Sequence, residues 1–332
     1  MGVLLITNAL LEPYDEGFRK FAYNLCEYCH QQNYPVFDQK RSSFKDYFKL
    51  LFRKRYLIIY LPLSSITFNS LLRAVCFKMF FHATRVVVIG LQPREYRSWQ
   101  KKMFRYFPLG IAVQSPDSVA RLQALGFSWV MRIQSGVDRG RFRAVEDPEQ
   151  IRRLRQKYGI PPAQKIILHV GHLKNDRNLM TLTGVQRSLP GIQTVIVAST
   201  STQPEREVAE ELEKAGVMII RDYVPRIEEI YQLADLYFFP VVSRYDSIEI
   251  PLSLIEALSC GIPALVFQQR LTSDLPGLFY CAQGENLPAK VGEVFALNLS
   301  KSKIAAGVER YHWDQVFEEF FNELSQRDQT RI

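Results

Sequence analysis

The sequence predicts an α/β protein made of two Rossmann-like domains, each built on a parallel sheet. Three observations lead there. The chain has 332 residues, more than one compact core usually holds and enough for two domains of about 150 each. Twelve short runs rich in Val, Ile, Leu and aromatic residues alternate with helix-length segments. A polar stretch ending in Pro161-Pro162 divides those runs six and six.

The expected strands of the first half cover residues 3–7, 34–37, 56–61, 85–89, 111–114 and 129–133. Those of the second half cover 165–170, 193–198, 217–221, 236–240, 264–267 and 278–281. Between them lie segments of 3.6-residue periodicity. Residues 17–31, for example, place Phe18, Phe21, Leu25 and Cys29 on one helical face. Strand–helix alternation of this kind builds parallel sheets from right-handed βαβ units. Residues 146–157 are polar and helical, and the Pro-Pro pair after Gly159 marks entry into the second domain. The expected domains are therefore 1–145 and 146–310. A closing helix, 311–332, carries Trp313, Phe317, Phe320 and Phe321 and is expected to cross back onto the first domain. Ligands of such sheets bind beyond the carboxyl ends of the strands, which places the expected site in a cleft between two facing domains.

Composition bounds the function. Hydrophobic content of 47% and charged content of 23% are those of an ordinary globular protein. The longest apolar stretch, 56–66, is interrupted by Pro62, Ser64 and Ser65, and no run nears the roughly 20 residues a spanning helix needs. The N-terminus lacks the basic start of a signal peptide. Five cysteines without a framework spacing suit a reducing compartment. The expectation is a soluble, cytoplasmic chain. Cys26 and Cys29 form an isolated CxxC late in a helix, which reads as two partly buried helix cysteines rather than a metal or redox site.

The net charge of +8 conceals an asymmetry. Through Arg143 there are 22 Lys+Arg against 9 Asp+Glu, a net +13, and the remaining 20 against 25 give −5. A half so basic suits an anionic partner: a lipid surface, an acidic substrate or a nucleic acid. Nucleic acid is not the expected partner, since no recognition motif is present. Residues 44–55 and 72–85 interleave aromatics with Lys and Arg. Such segments either lie in an anionic membrane interface or are amphipathic helices with core-facing aromatics and a basic outer face.

Two segments carry chemistry. In Val170-Gly171-His172-Leu173-Lys174-Asn175-Asp176-Arg177-Asn178 a strand ends in glycine, and Asp176 is placed to N-cap the next helix. Glycine allows close backbone approach to an anion, a helix N-terminus adds positive potential, and Arg177 offers two-point hydrogen bonding to a diphosphate. The bland alternative is a plain turn with a solvated arginine. In the second segment Glu256 sits among Leu254, Ile255 and Leu258, in a helix ending at Cys260-Gly261-Ile262-Pro263. A buried carboxylate needs donors, and a ribose diol supplies two adjacent hydroxyls. The alternative is a glutamate on an exposed stripe.

Taken together, SGVDRGRF (135–142), VGHLKNDRN (170–178), ADLYFFP (234–240) and LSLIEALSCGIPALV (252–266) resemble the family-4 (group 1) glycosyltransferases of the GT-B fold. Their pattern runs NGVDxxxF, vGrLxxxKG, aDvxvxPS and E-x7-E-A-x-A-x-G-x-P. The resemblance implies a sugar transferred from a UDP- or GDP-sugar to a glycan or lipid-linked acceptor, with retention of configuration and no metal or other cofactor. It assigns Arg177 to the phosphates and Glu256 to the ribose. Gly171 and His172 fall at the donor loop, and Tyr223-Val224 where the base rests. Gly17 falls in the loop before the first helix, near donor and acceptor, and Ser199-Thr200 where the family often has a glycine loop.

The sequence departs from the family pattern in three segments. His172 stands where it has an arginine. Ile248 stands eight residues before Glu256, where it has its first glutamate, with Pro251 in place of a glycine. Gln92 stands where a histidine often follows the fourth strand. Glu249 or Asp246 is then the carboxylate expected to contact the transferred sugar, and Gln92 is left to hydrogen-bond a sugar hydroxyl. Three readings follow. The first is an active retaining transferase of hexosyltransferase type. The second is a catalytically silent GT-B protein that binds nucleotide or glycan or partners an active enzyme. The third is a sugar-nucleotide epimerase, which needs cleft carboxylates and histidines that the sequence does not place.

Overall fold

The computed structural model describes residues 2–10, 12, 14, 16–43, 45, 56–63, 65–267 and 275–329. Of the basic aromatic stretch 44–55, all but Lys45 lies outside the described residues, as does Asp15. The chain divides into two compact units. One comprises Met1–Ser135, Ser247–Ile250 and Trp313–Ile332; the other comprises Gly136–Asp246 and Pro251–His312.

Each unit holds one six-stranded sheet, and every strand pairs parallel to its neighbours. In the first, β1 (Gly2–Thr7), β2 (Val36–Asp38), β3 (Tyr56–Leu61), β4 (Arg85–Gly90), β5 (Gly110–Val113) and β6 (Val130–Arg132) take the order β2-β1-β3-β4-β5-β6. In the second, β7 (Lys165–Gly171), β8 (Ile192–Ala198), β9 (Met218–Ile220), β10 (Leu236–Phe239), β11 (Ala264–Phe267) and β12 (Leu278–Cys281) take the order β12-β11-β10-β7-β8-β9. All twelve strands fall where the sequence places them. The continuous apolar runs 57–61 and 86–89 are buried on both faces, as strands covered by crossover helices must be. The second strand begins two residues later than expected. The Tyr34 amide closes the preceding helix on the Cys29 carbonyl at 2.8 Å, and Pro35 has no N–H to give a ladder.

In the first unit the helix Gly17–Gln31 packs its apolar stripe on the closing helix Trp313–Gln329. Phe21 meets Trp313 and Phe317 edge-on at 5.6 Å, and Tyr28 stacks on Phe321 at 5.3 Å. Arg85 donates to the Arg327 carbonyl at 3.0 Å, and Arg327 to the Val130 carbonyl at 3.2 Å, which fixes the far end of that helix beside the sheet. Cys26 and Cys29 are free and buried, and burial pushes their thiols up to about 11 and about 12. They are protonated packing groups.

In the second unit one buried cation ties the entry helix Pro148–Lys157 to the sheet. Arg155 pairs with Asp235 at 2.7 Å and donates to the carbonyls of Leu233, Pro162 and Gln164 at 2.9–3.2 Å. Asp235 in turn accepts the Ile166 amide at 2.8 Å, so the ion pair holds the starts of β7 and β10 side by side. Removing Asp235 alone would strand the buried Arg155 charge at a cost of about 3–5 kcal/mol. Gly261 closes the helix Leu252–Ser259 at φ +74°, and a Cβ there would lie 2.6 Å from the Lys301 backbone oxygen. Only glycine satisfies both constraints. No helix of the described residues is long and apolar enough to cross a membrane.

Candidate functional site

In the second unit the segment after β7 differs from its sequence reading in one respect. Asn175–Arg177 form a single 3-10 turn, and Asn178 is left-handed at φ 56°. The next helix, Thr181–Ser188, starts at Met180 with no side-chain cap. Asp176 is therefore not an N-cap. It lies inside the turn, 3.5 Å from the Arg177 guanidinium. The turn is pinned instead by Asn178, whose amide donates to the Pro240 carbonyl at 3.1 Å. Arg177 is largely buried, and His172 Nδ1 is 2.6 Å from the Thr202 hydroxyl. Gly171 pairs with Ala198 across the sheet, and its carbonyl accepts the Ser199 amide at 2.9 Å.

His169, one turn of the pleat before Gly171, is a member of this group that motif reading missed. It is buried, and its Nδ1 lies 3.0 Å from the Phe238 carbonyl. A carbonyl only accepts, so Nδ1 carries the proton and Nε2 is an acceptor. Nε2 has no partner within the described residues and sits 2.8 Å from where a Cβ on Gly171 would be. Burial lowers the imidazole to about 4, with Arg177 and His172 adding to the effect. No spacing in the sequence marks His169; its burial and the unpartnered Nε2 do.

Glu256 lies on the helix Leu252–Ser259 with only 4% of its surface exposed. Its negative charge reaches several neighbours. Tyr231 is pushed well above the usual phenol range by burial and then by Glu256, and the Cys260 thiol likewise. Burial alone would lower Arg141. The hydrogen bond to Glu228, at 2.8 Å, together with Asp138 and Glu256, raises it instead. Tyr237 on β10 joins the two groups. Its ring lies 6.4 Å from that of His169, and its hydroxyl donates to Ser253 on the Glu256 helix at 2.6 Å. Tyr223, 59% exposed, and Val224 follow β9 at the same carboxyl edge, as Ser199 and Thr200 follow β8.

The loop after β10 splits between the units. Asp246, half-buried, belongs to the second unit, while residues 247–250 belong to the first. There Ile248 fills the space above Gly17: a Cβ on Gly17 would lie 2.7 Å from the Ile248 Cδ1. Glu249 turns to the start of the helix Pro116–Ala124, where its Oε1 accepts from Ser115 at 2.5 Å and Ser118 at 2.7 Å. Its amide donates to the Leu91 carbonyl at 2.7 Å, and Ile250 bonds to Gln114. Gln92 and Glu249 both line a cavity of about 420 Å³ at the carboxyl ends of β4 and β5. Among the described residues no group of three or more His, Cys, Asp or Glu is placed to hold a metal.

The His169 environment has a consequence for stability. Unfolded histidine takes its proton near 6.5 and folded His169 only near 4. The contribution is therefore fully present above about pH 6.5 and is lost as the pH falls toward 4, amounting to about 3 kcal/mol. In urea titrations His169→Gln is expected to lose less stability than the wild type between those pH values. Parallel pH dependences in the two proteins would contradict the assignment.

Residues 150–275 match the family model described as "Glycosyl transferases group 1". No curated protein sequence matches the chain. Among solved structures, Anabaena HepE in complex with UDP superposes with a TM-score of 0.74 at 14% identity, covering 98% of this chain and all of that one. Sucrose-phosphate synthase of Thermosynechococcus elongatus gives 0.72 at 13% identity, over 99% of this chain and all of that one. WaaG, a glycosyltransferase involved in lipopolysaccharide biosynthesis, gives 0.58 at 15% identity, over 94% and 95%. Residues 150–275 are thus similar to the group 1 glycosyl transferases, within a chain that has the GT-B fold of two Rossmann-like parallel-sheet units.

Proposed function

We propose that this chain is a glycosyltransferase that moves a hexose from a UDP- or GDP-sugar to a hydroxyl of a glycan or lipid-linked acceptor, with retention of configuration. The observation that carries the reading is Glu256: a carboxylate 4% exposed, on a helix inside the matched segment. Its charge suits a ribose diol, and the HepE structures that resemble this chain hold UDP and UDP-glucose. Arg177, with Lys174 beside it, would face the diphosphate and meet the charge that develops on the leaving phosphate. With that charge supplied by side chains, transfer needs no metal. Gly171 and His172 would line the phosphate, Tyr223 and Val224 the base. Of the two loop carboxylates, Glu249 already engages Ser115 and Ser118, which favours Asp246 for the hydroxyls of the transferred sugar.

One observation favours a second reading, a silent GT-B protein that binds nucleotide without cleaving it. Ile248, in place of the family's first glutamate, is buried against Gly17, and an alkyl group cannot orient a sugar hydroxyl. A panel of UDP- and GDP-sugars, incubated in EDTA with and without acceptors, separates the two. Release of UDP or GDP supports the transferase, and binding without release the silent protein. Glu256→Ala and Arg177→Ala are each expected to weaken nucleotide binding about 10- to 100-fold, the loss of a charge-assisted hydrogen bond. Normal affinity in both variants would remove the donor-site assignment.

The acceptor side of the reading places the protein in the cytoplasm, at an anionic membrane surface. On the helix Phe68–Phe80, Leu72, Met79 and Phe80 are exposed, the last two at 72% and 55%. Trp99 and Met103 on Ser98–Phe104, with Tyr106 just beyond, are exposed as well. The two segments adjoin, since Phe68 meets Trp99 at 5.1 Å and Lys78 reaches the Pro108 carbonyl at 3.2 Å. Arg73, Lys78, Lys101, Lys102 and Arg105 lie on or next to the same two helices, each good for about 1 kcal/mol near an anionic leaflet. Cosedimentation with phosphatidylserine vesicles is expected at low salt and is expected to fall in Lys101→Glu/Lys102→Glu. Equal binding to neutral and anionic vesicles would overturn this part.

A further inference from the structure

The cavity at the carboxyl ends of β4 and β5 has a charge pattern that donor binding does not use. At about 420 Å³ it falls within the roughly 300–1,000 Å³ of small-molecule sites. Arg94, Lys101 and Arg121 bring three cations to its wall, against Glu95 and Glu249. Both arginines act on one phenol, Tyr96, whose hydroxyl donates to the Ile66 carbonyl at 3.0 Å. Burial pushes that phenol up to about 12, and Arg94 and Arg121 act against the rise. Between Tyr47 and Pro116 the sequence has twelve Lys and Arg and a single acid, Glu95, a composition that suits an anionic ligand.

Glu249 supplies the other half of the pattern. Its Oε1 is held by Ser115 and Ser118 at the first turn of the helix Pro116–Ala124, where the helix dipole favours a carboxylate. Within the described residues no side chain or backbone group hydrogen-bonds to Oε2, although the residue is only 7% exposed and lines the cavity. A carboxylate oxygen at a cavity wall accepts hydrogen bonds, and a ligand hydroxyl offers one. Ser118 and Gln92 line the same cavity.

We infer that this cavity binds the acceptor, and that the acceptor is a polyhydroxyl compound bearing a phosphate or carboxylate. Glu249 Oε2 receives a hydroxyl of the ligand, while Arg94, Arg121 and Lys101 hold its anionic group. This rests on the glycosyltransferase reading and deepens it by naming the acceptor's chemical class. It also assigns Glu249 to the acceptor rather than the donor sugar. The anion has two sources, a free sugar phosphate or uronate and a phospholipid headgroup.

Isothermal titration of the full chain with glucose, glucose 6-phosphate, glucuronate, inorganic phosphate and dihexanoyl phosphatidylinositol tests it. At least one anionic polyol is expected to bind ten-fold or more tightly than glucose. Arg94→Gln/Arg121→Gln is expected to abolish that margin. Glu249→Gln is expected to weaken the polyols while leaving inorganic phosphate unchanged. Preference for glucose 6-phosphate or glucuronate identifies a free acceptor, and preference for the inositol lipid a headgroup; either upholds the inference. Equal binding of glucose and every anionic polyol, no binding of any polyol, or an unchanged margin in the arginine variant overturns it. UDP titrated into all the proteins reads the donor reading separately. Retained UDP affinity shows each variant folded, and absence of UDP binding in the wild type counts against the donor site while the anion series still judges the cavity.

Discussion

Parallel pairing is the constraint on which the rest of this structure depends. A parallel neighbour requires a crossover, so each strand is followed by a loop at one edge of its sheet and a helix that returns along its face. That geometry collects unrelated sequence positions at two carboxyl edges. In the first unit it brings Gln92 after β4 and Ser118 after β5 to one cavity. In the second it aligns Gly171 to Arg177 after β7, Ser199 after β8, Tyr223 after β9 and Asp246 after β10. The buried Arg155–Asp235 pair holds the opposite, amino end of β7 and β10, leaving the carboxyl ends free to carry chemistry.

Within the second unit the anion-facing loop and the carboxylate helix are linked through β10. Tyr237 lies beside His169 and donates to Ser253, so the position of the Glu256 helix and the end of β7 are set by one side chain. A neutral His169 makes electrostatic sense there. A second fixed cation next to Arg177 would be costly in a buried site, and the depressed imidazole avoids it.

The fold was legible because both halves of the sequence state the same rule repeatedly. Runs such as 86–89 are apolar at every position, which suits a strand covered on both faces, and the intervening segments carry a helical stripe. What escaped was local or tertiary. Asp176 has the residue type and spacing of an N-cap, but Asn178 takes a left-handed conformation and breaks the turn before a helix can start. His169 looks like any polar residue in a strand, and only its burial reveals an acceptor without a donor. The departure at Ile248 was visible as a spacing, eight residues before Glu256. Its packing on Gly17, and the turning of Glu249 toward Ser115 and Ser118, depend on contacts across more than 130 positions of sequence, which no local pattern encodes.

The loop from Asp246 to Pro251 is therefore a junction at which neighbouring side chains serve different units, with Asp246 in one and Ile248 and Glu249 in the other. The central claim concerns the unit it leaves: that a nucleoside diphosphate is held at the carboxyl edge of the second sheet by Arg177 and Glu256. A crystal structure of the chain soaked with UDP tests this most directly. The account predicts the diphosphate against Arg177 and the Gly171 backbone, with the ribose hydroxyls on Glu256. UDP bound with neither side chain in contact, or seated in the cavity lined by Gln92 and Arg121, would contradict it.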